Sequence, residues 1–329
     1  MNRLSETEII QLFNPRTIYN SEVIVGIGDD CAVLEKNATH YTLISKDLLL
    51  EDVHFRLRTS NPAGVAQKTM NCNLSDIAAC GGTPLYILLG IACPHNTPKD
   101  WLEIFALTLK NICEPRKIAI IGGDTTGSPD KLYISITIIG EVPKKHLKLR
   151  STAKTGDYLA VTGNLGDSAL GLFALESKQK DRNFAPFISR HSEAIARSEE
   201  GKWLGSQKAI TAMMDISDGL DTDLNRMIKA SLTGAEVEIS RLPYSNELLQ
   251  LTQEYNLNLY DIILGGGEDY ELLVAIDPKQ TATLQTEFAQ HFKTPLTVIG
   301  KITDKPQLRY LQKGMPVELQ FKNFNHFGD

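Results

Sequence analysis

What this chain of 329 residues lacks closes several common routes to function. It has no GxxxxGK[ST] loop and no kinase-type glycine loop, so a phosphate site would have to be built another way. Five cysteines, at 31, 72, 80, 93 and 113, form no CxxC pair, and an odd count suits a reduced compartment. The seven histidines are dispersed, without HxH or HExxH spacing, and offer little to zinc. Ser168 and Ser217 have no evident base nearby in sequence, so a serine nucleophile is not expected. Net charge is -6, and Lys144 to Arg150 is the only basic run, which argues against a nucleic-acid partner. No apolar run approaches the roughly 20 residues of a membrane span, and the first residues carry no apolar signal core. A cytoplasmic protein with no membrane partner is the expectation.

What is present describes a globular chain: 42% hydrophobic and 22% charged residues, with 24 glycines and 14 prolines scattered rather than clustered. The length favours two domains. Composition turns basic and polar around Pro143 to Lys154, which sets the expected division at 1–142 and 143–329. Helix and strand signals interleave throughout, so the class is mixed α/β and α+β. One helix stands out, from Ser60-Asn61-Pro62 to Gly81-Gly82, with a capping side chain before a proline and glycines at its stop. It leaves little polar surface and should be buried, with Thr69, Asn73, Asp76 and Cys80 along one face. A carboxylate on the inner face of a buried helix must find a partner.

Four strand-like runs end in acids. Val23 to Ile27 precedes Gly28-Asp29-Asp30, and Tyr41 to Ser45 precedes Lys46-Asp47. Ile118 to Ile121 precedes Gly122-Gly123-Asp124, and Ala209 to Met214 precedes Asp215-Ile216-Ser217-Asp218. Leu132 to Gly140 alternates and is expected to pair with Ile118 to Ile121 as a hairpin or neighbour. Each acid alone is an ordinary turn residue. Packed together with Asp76, they could not all stay ionised without cations. Oxygen-rich sites of that kind select hard divalent ions, Mg2+ where phosphates complete the shell. Glycines beside the acids let phosphate oxygens approach backbone N–H groups. The set points to a nucleoside triphosphate and several Mg2+ ions.

Gly26 to Ala32, Ser45-Lys46-Asp47 with Val53-His54-Phe55, Asn73 to Ala79, Gly122 to Thr126, Asp215 to Gly219 and Gly266 to Leu272 follow one another along the chain. In that order they resemble the thiamine-monophosphate kinase family, from about residue 26 to the final Asn325-His326-Phe327. Its superfamily shares the acid-rich ATP site and includes aminoimidazole ribonucleotide synthetase, selenophosphate synthetase and a hydrogenase-maturation enzyme. The His-Phe pair at 54–55, the motif at 266–272 and the tail favour the thiamine branch.

The resemblance implies a two-domain aminoimidazole ribonucleotide synthetase-like fold. Its N-terminal domain binds ATP and Mg2+, and its N-terminal sheet pairs across a homodimer. It implies ATP-dependent phosphorylation of thiamine monophosphate to the diphosphate by direct transfer, with no residue as general base. By position, Asp30, Ser45, Lys46 (through its backbone), Asp47, Asp76, Asp124, Asp215 and Asp218 would hold Mg2+. Gly123, Asp124, Arg150 and Ser217 would contact ATP; His54, Glu268 and Phe324, or else Phe321, would contact thiamine monophosphate. Lys46 departs from the family, which usually has threonine or another small residue there; its stem is expected to carry the ammonium out to water. Alternatives are a sister ATP-dependent synthetase, a non-catalytic Mg2+ or nucleotide module, and a two-metal phosphatase, the last disfavoured by the shortage of histidine.

Overall fold

In the computed structural model, which describes residues 4–15, 17–179 and 181–323, the first half of the chain lays a six-stranded sheet against one long buried helix. Its elements are α1 (Glu6–Phe13), β1 (Val23–Val25), β2 (Ala32–Glu35), β3 (His40–Leu50), α2 (Pro62–Ala79), β4 (Thr83–Pro94), α3 (Lys99–Cys113), β5 (Ala119–Ser128) and β6 (Tyr133–Pro143). Strand order is β1-β2-β3-β6-β4-β5. All neighbours are antiparallel except β4 and β5, where α3 supplies the crossover that a parallel pair requires. Asn61 caps α2, its side chain accepting from the Gly64 N–H at 2.8 Å, and Pro62 occupies the turn where no N–H is needed. Gly81, with φ of +71°, ends it.

The second half contains β7 (Tyr158–Thr162), α4 (Asp167–Glu176), α5 (Ala185–Glu193), α6 (Ser198–Ser206), β8 (Ile210–Ile216), α7 (Leu220–Ala230), β9 (Gly234–Glu238), α8 (Asn246–Glu254), α9 (Leu259–Ile263), β10 (Glu271–Ile276), α10 (Thr281–His291), β11 (Leu296–Thr303), β12 (Leu308–Gln312) and β13 (Met315–Val317). They build a seven-stranded sheet of order β13-β12-β9-β11-β7-β10-β8. Side-chain alternation divides its core in two. Leu159, Val161, Met214 and Leu273 pack with Leu170, Leu224 and Leu248 of α4, α7 and α8. On the other face Ala160, Met213, Leu272 and Val274 meet Leu204, Leu284 and Phe288 of α6 and α10. Ala78 and Ala79 of α2 join that second layer, so α2 lies between the two sheets and is buried from both sides. Gly201 permits the approach, since a Cβ there would stand 2.4 Å from the Ala78 carbonyl oxygen.

Two expectations change. Ser45-Lys46-Asp47 sit inside β3 and Gly122 to Gly127 inside β5, because ladder bonding to β6 and β4 carries both strands through their motifs. Next, β6 pairs with β3 and β4, which leaves β5 at the sheet edge rather than beside it. In the second half, α5 and α6 are separate helices, parted around Ala194 where φ is +38°.

Candidate active site

A cleft of about 970 Å3 lies against α2, with walls from both halves of the chain. Three carboxylates from distant segments meet in it: Asp30 between β1 and β2, Asp76 near the end of α2, and Asp215 on β8. Each offers one oxygen atom, and these lie within 4.8 Å of one another. Asp47 reaches the same cleft from β3, on the strand face shared with Ser45. The Ser45 hydroxyl donates to Asp76, and Ser75 donates to Asp215 at 2.6 Å. The Arg150 guanidinium donates to Asp30 and lies 3.8 Å from Asp29. Asp30 Oδ2 and Asp47 Oδ2 are buried without a hydrogen-bond partner among the described residues.

Burial shapes the titration of this group. It pushes Asp30 to about 7, against the pull of Arg150 and with Asp29 adding to the rise. It pushes Asp215 to about 8, with Asp30 as the next cause. Asp76 is raised well above the ordinary value by burial and then by Asp47. Like charges this close and this dry are stable when protonated or when cations stand among them.

The remaining candidates divide. Lys46 points to the opposite face of the sheet, its ammonium donating to Ser135 Oγ at 2.7 Å and Thr137 Oγ1 at 3.3 Å on β6. Ser217 and Asp218 line the cleft, and both their N–H groups donate to Asp223 Oδ2 at 2.9 Å. Arg226 clamps Asp218 at 2.5 Å and Asp223 at 2.8 Å. His54 lines the cleft with Nδ1 accepting from the Leu50 N–H at 3.0 Å, and Glu268 lines it beyond β8. Gly123 and Asp124 are not brought in. The register runs Asp47 to Ile136 to Leu89 to Gly123, three strand steps or about 14 Å across the sheet. A metal set including Asp124 is therefore not available within one copy of the chain. Gly123 has a local role, since a Cβ there would sit 1.8 Å from the Leu89 carbonyl oxygen. Phe324 lies outside the described residues. Phe321 packs edge-on to Tyr310, with ring centroids 6.0 Å apart, against the second-half core.

Four participants escaped the sequence reading: Lys68, His191, Asp223 and Arg226. Lys68 carried a signal, as the one cation in a helix expected to be buried. Asp223 and Arg226, three apart just after Ser217-Asp218, carried a weaker one. His191 had none, for it reaches the cleft from a segment far from every motif.

Residues 28–142 match the family model described as AIR synthase related protein, N-terminal domain, and residues 154–311 match its C-terminal domain. The chain is 34% identical over 330 residues to the thiamine-monophosphate kinase of Bacillus subtilis (strain 168), covering 98% of this chain and all of that one. It is 36% identical over 312 residues to that of Escherichia coli (strain K12), covering 93% of each. Among solved structures, AaThiL complexed with AMPPCP and TMP superimposes with a TM-score of 0.85 at 32% identity, with 99% of each chain covered.

Proposed function

This chain belongs to the thiamine-monophosphate kinase family of AIR synthase related proteins, and on that footing we propose that its cleft moves the γ-phosphoryl group of ATP onto thiamine monophosphate, giving thiamine diphosphate and ADP. The observation that carries this reading is the convergence of Asp30, Asp76 and Asp215 from three distant segments. A relative that holds AMPPCP and TMP supports both substrates.

The acid group fits Mg2+. Its donors are carboxylate oxygens and the Ser45 hydroxyl, a hard set, and two of its buried oxygens have no hydrogen-bond partner. Asp30, Ser45, Asp47, Asp76 and Asp215 would hold the ions, with Asp218 available to a further one. Bound Mg2+ would neutralise two phosphate groups that otherwise repel. Arg150 presents a planar fork to the ATP phosphates, and Ser217 faces the same space. His54 and Glu268 take the thiamine portion. The acceptor is a phosphate monoester, whose second ionisation falls near pH 6, so no side chain has to remove a proton. What the protein supplies is position and charge.

Gly123 and Asp124 act, in this reading, from a second copy of the chain. Among the described residues strand β5 has an unpaired edge, Ile121 on it is 53% exposed, and Leu48 and Tyr86 are 51% and 43% exposed on the sheet. A homodimer joined through the N-terminal sheets would cover these groups. The division at 142/143 gives most of the Mg2+ ligands and the dimer contacts to the first domain, while Arg150 and Ser217 reach ATP from the second. Among the described residues no helix is long and apolar enough to cross a membrane, and the proposed compartment is the cytoplasm.

The test is incubation of the purified protein with ATP, Mg2+ and thiamine monophosphate, followed by chromatography of the thiamine esters. Thiamine diphosphate that disappears with EDTA is the expected result. ATP consumption with no new thiamine ester would point instead to a sister synthetase.

A further inference from the structure

A second group of charge stands at the same cleft, lined by His54, His191 and Glu268 with Lys68 buried behind them. The Lys68 side chain is 4% exposed, and its ammonium reaches three partners. It donates to the His54 carbonyl oxygen at 3.0 Å and to Glu268 Oε2 at 2.7 Å, and lies 3.4 Å from His191 Nε2. His191 Nδ1 lies 3.2 Å from the same Glu268 oxygen and 3.1 Å from Ser168 Oγ. Burial, with Lys68 adding to it, lowers His191 to about 4, so the ring is neutral near pH 7. A neutral ring fits these contacts when Nε2 accepts from Lys68 and Nδ1–H faces the Ser168 hydroxyl, with the Glu268 carboxylate beside that nitrogen. Serine and carboxylate share one ring nitrogen here, so this is no hydrolytic triad, which needs them on opposite nitrogens.

The Glu268 backbone is also tightly held. Its φ is +64° and that of Tyr270 is +50°, both unusual for residues with side chains. The Ser217 carbonyl oxygen accepts from the Glu268 N–H at 2.7 Å, and the Ile216 carbonyl oxygen accepts from the Tyr270 N–H at 2.9 Å. A strained backbone and two side chains converging on one oxygen aim this carboxylate while a quarter of its side chain stays exposed.

We propose that Lys68 is a positioning residue, which ties His54 from the first half of the chain to Glu268 from the second and so builds the corner that receives thiamine. This rests on the reading that Glu268 and His54 meet the substrate. Lys68 is too buried to be its main contact, and it acts through the carboxylate it holds. Thiamine's thiazolium ring is a permanent cation, so a carboxylate kept ionised and aimed suits it. Lys68 also shares α2 with Asp76, eight residues on, or about 12 Å along the helix axis. One rigid helix therefore sets the distance between the thiamine corner and the acids at the phosphoryl end.

The test is a double-mutant cycle on the full-length protein, with KM measured separately for thiamine monophosphate and ATP. Lys68→Met should raise KM for thiamine monophosphate about tenfold, with KM for ATP and kcat at saturation little changed. Glu268→Gln should do the same, and the double variant should be no worse than Glu268→Gln alone. Penalties that multiply in the double variant, or an equal rise in KM for ATP, would overturn the proposal while leaving the role of Glu268 standing. A Glu268→Gln enzyme with unaltered KM would sink the reading beneath it, and the proposal too. Thermal melts check folding. If Lys68→Met does not fold, Lys68→Arg serves: its larger fork must displace the His54 carbonyl contact, so an unchanged KM for thiamine monophosphate would overturn the proposal.

Discussion

Asp30, Asp76 and Asp215 meet in the cleft with the Arg150 guanidinium against them, whereas Glu268 meets Lys68 and His191 on a wall of the same cleft. Burial drives both groups toward the neutral form. In the first it wins, and Asp30 and Asp215 rise to about 7 and 8. In the second, burial alone would raise Glu268, but the Lys68 ammonium, by its charge and its hydrogen bond, leads the causes that hold the carboxyl below its ordinary value. A charge group left uncompensated by its own protein is a place for a ligand of opposite sign; one that is compensated internally is a scaffold that aims a group. Under the proposed function, the contrast would give one end of the cleft to cations and phosphates and the other to an organic cation.

Asp76→Asn should show the largest effect. We expect turnover to fall by about 10²–10³-fold, while the thermal midpoint in EDTA stays level or rises, because one uncompensated acid is gone. Preserved turnover would remove Asp76 from the metal set. The same variant tests the second copy. Mixed after reversible dissociation with inactive Asp124→Asn, it should regain about a quarter of wild-type activity, since half the dimers are mixed and each has one intact site. No recovery, with mixed dimers shown to form, would place Asp124 outside the partner's site.

Arg150→Met should come next, raising KM for ATP roughly tenfold, in line with losing one charged, well-placed donor. An equal rise in KM for thiamine monophosphate would erase the division between the two ends.

A pH series on the metal-free protein probes the contrast directly. The unfolded chain releases its carboxyl protons near pH 4, but the fold keeps those of Asp30 and Asp215 to about 7 and 8. Between these limits the folded state binds more protons, so stability falls as pH rises. In EDTA the thermal midpoint should therefore drop from pH 5.5 to 8, and saturating Mg2+ should flatten the decline. Glu268 works in the other sense: its contribution is present above the ordinary glutamate value and is lost as pH falls through its lowered one. A midpoint that rises from pH 5.5 to 8 in EDTA would mean that the acids are already paired.

Lys46→Thr should do least. Its ammonium binds Ser135 and Thr137 on the far face of the sheet, and exposed changes of that kind cost within about 0.5 kcal/mol. A turnover change beyond about threefold would mean that the Lys46 ammonium, and not its backbone alone, acts at the metal site.

Some of this was legible in the sequence, because it depends on near neighbours. The limits and burial of α2, the capping of its start by Asn61 and the acids beside glycines are local signals, each set by a few residues of chain. The strand through Ser45 and Asp47 was legible as a run but not in its length, since β6 carries β3 past the motif and only a neighbouring strand can do so. The distance of Asp124 from Asp47 depended on strand order, which alternation along one strand does not contain. The corner around Lys68 was hidden for the same reason at longer range: its partners His191 and Glu268 lie 123 and 200 residues away. The sequence by itself determined the local elements and the kinds of side chain available to the site. Tertiary structure alone decided which of those side chains meet and whether each charge finds its opposite, because burial and pairing act through space between segments the chain keeps far apart.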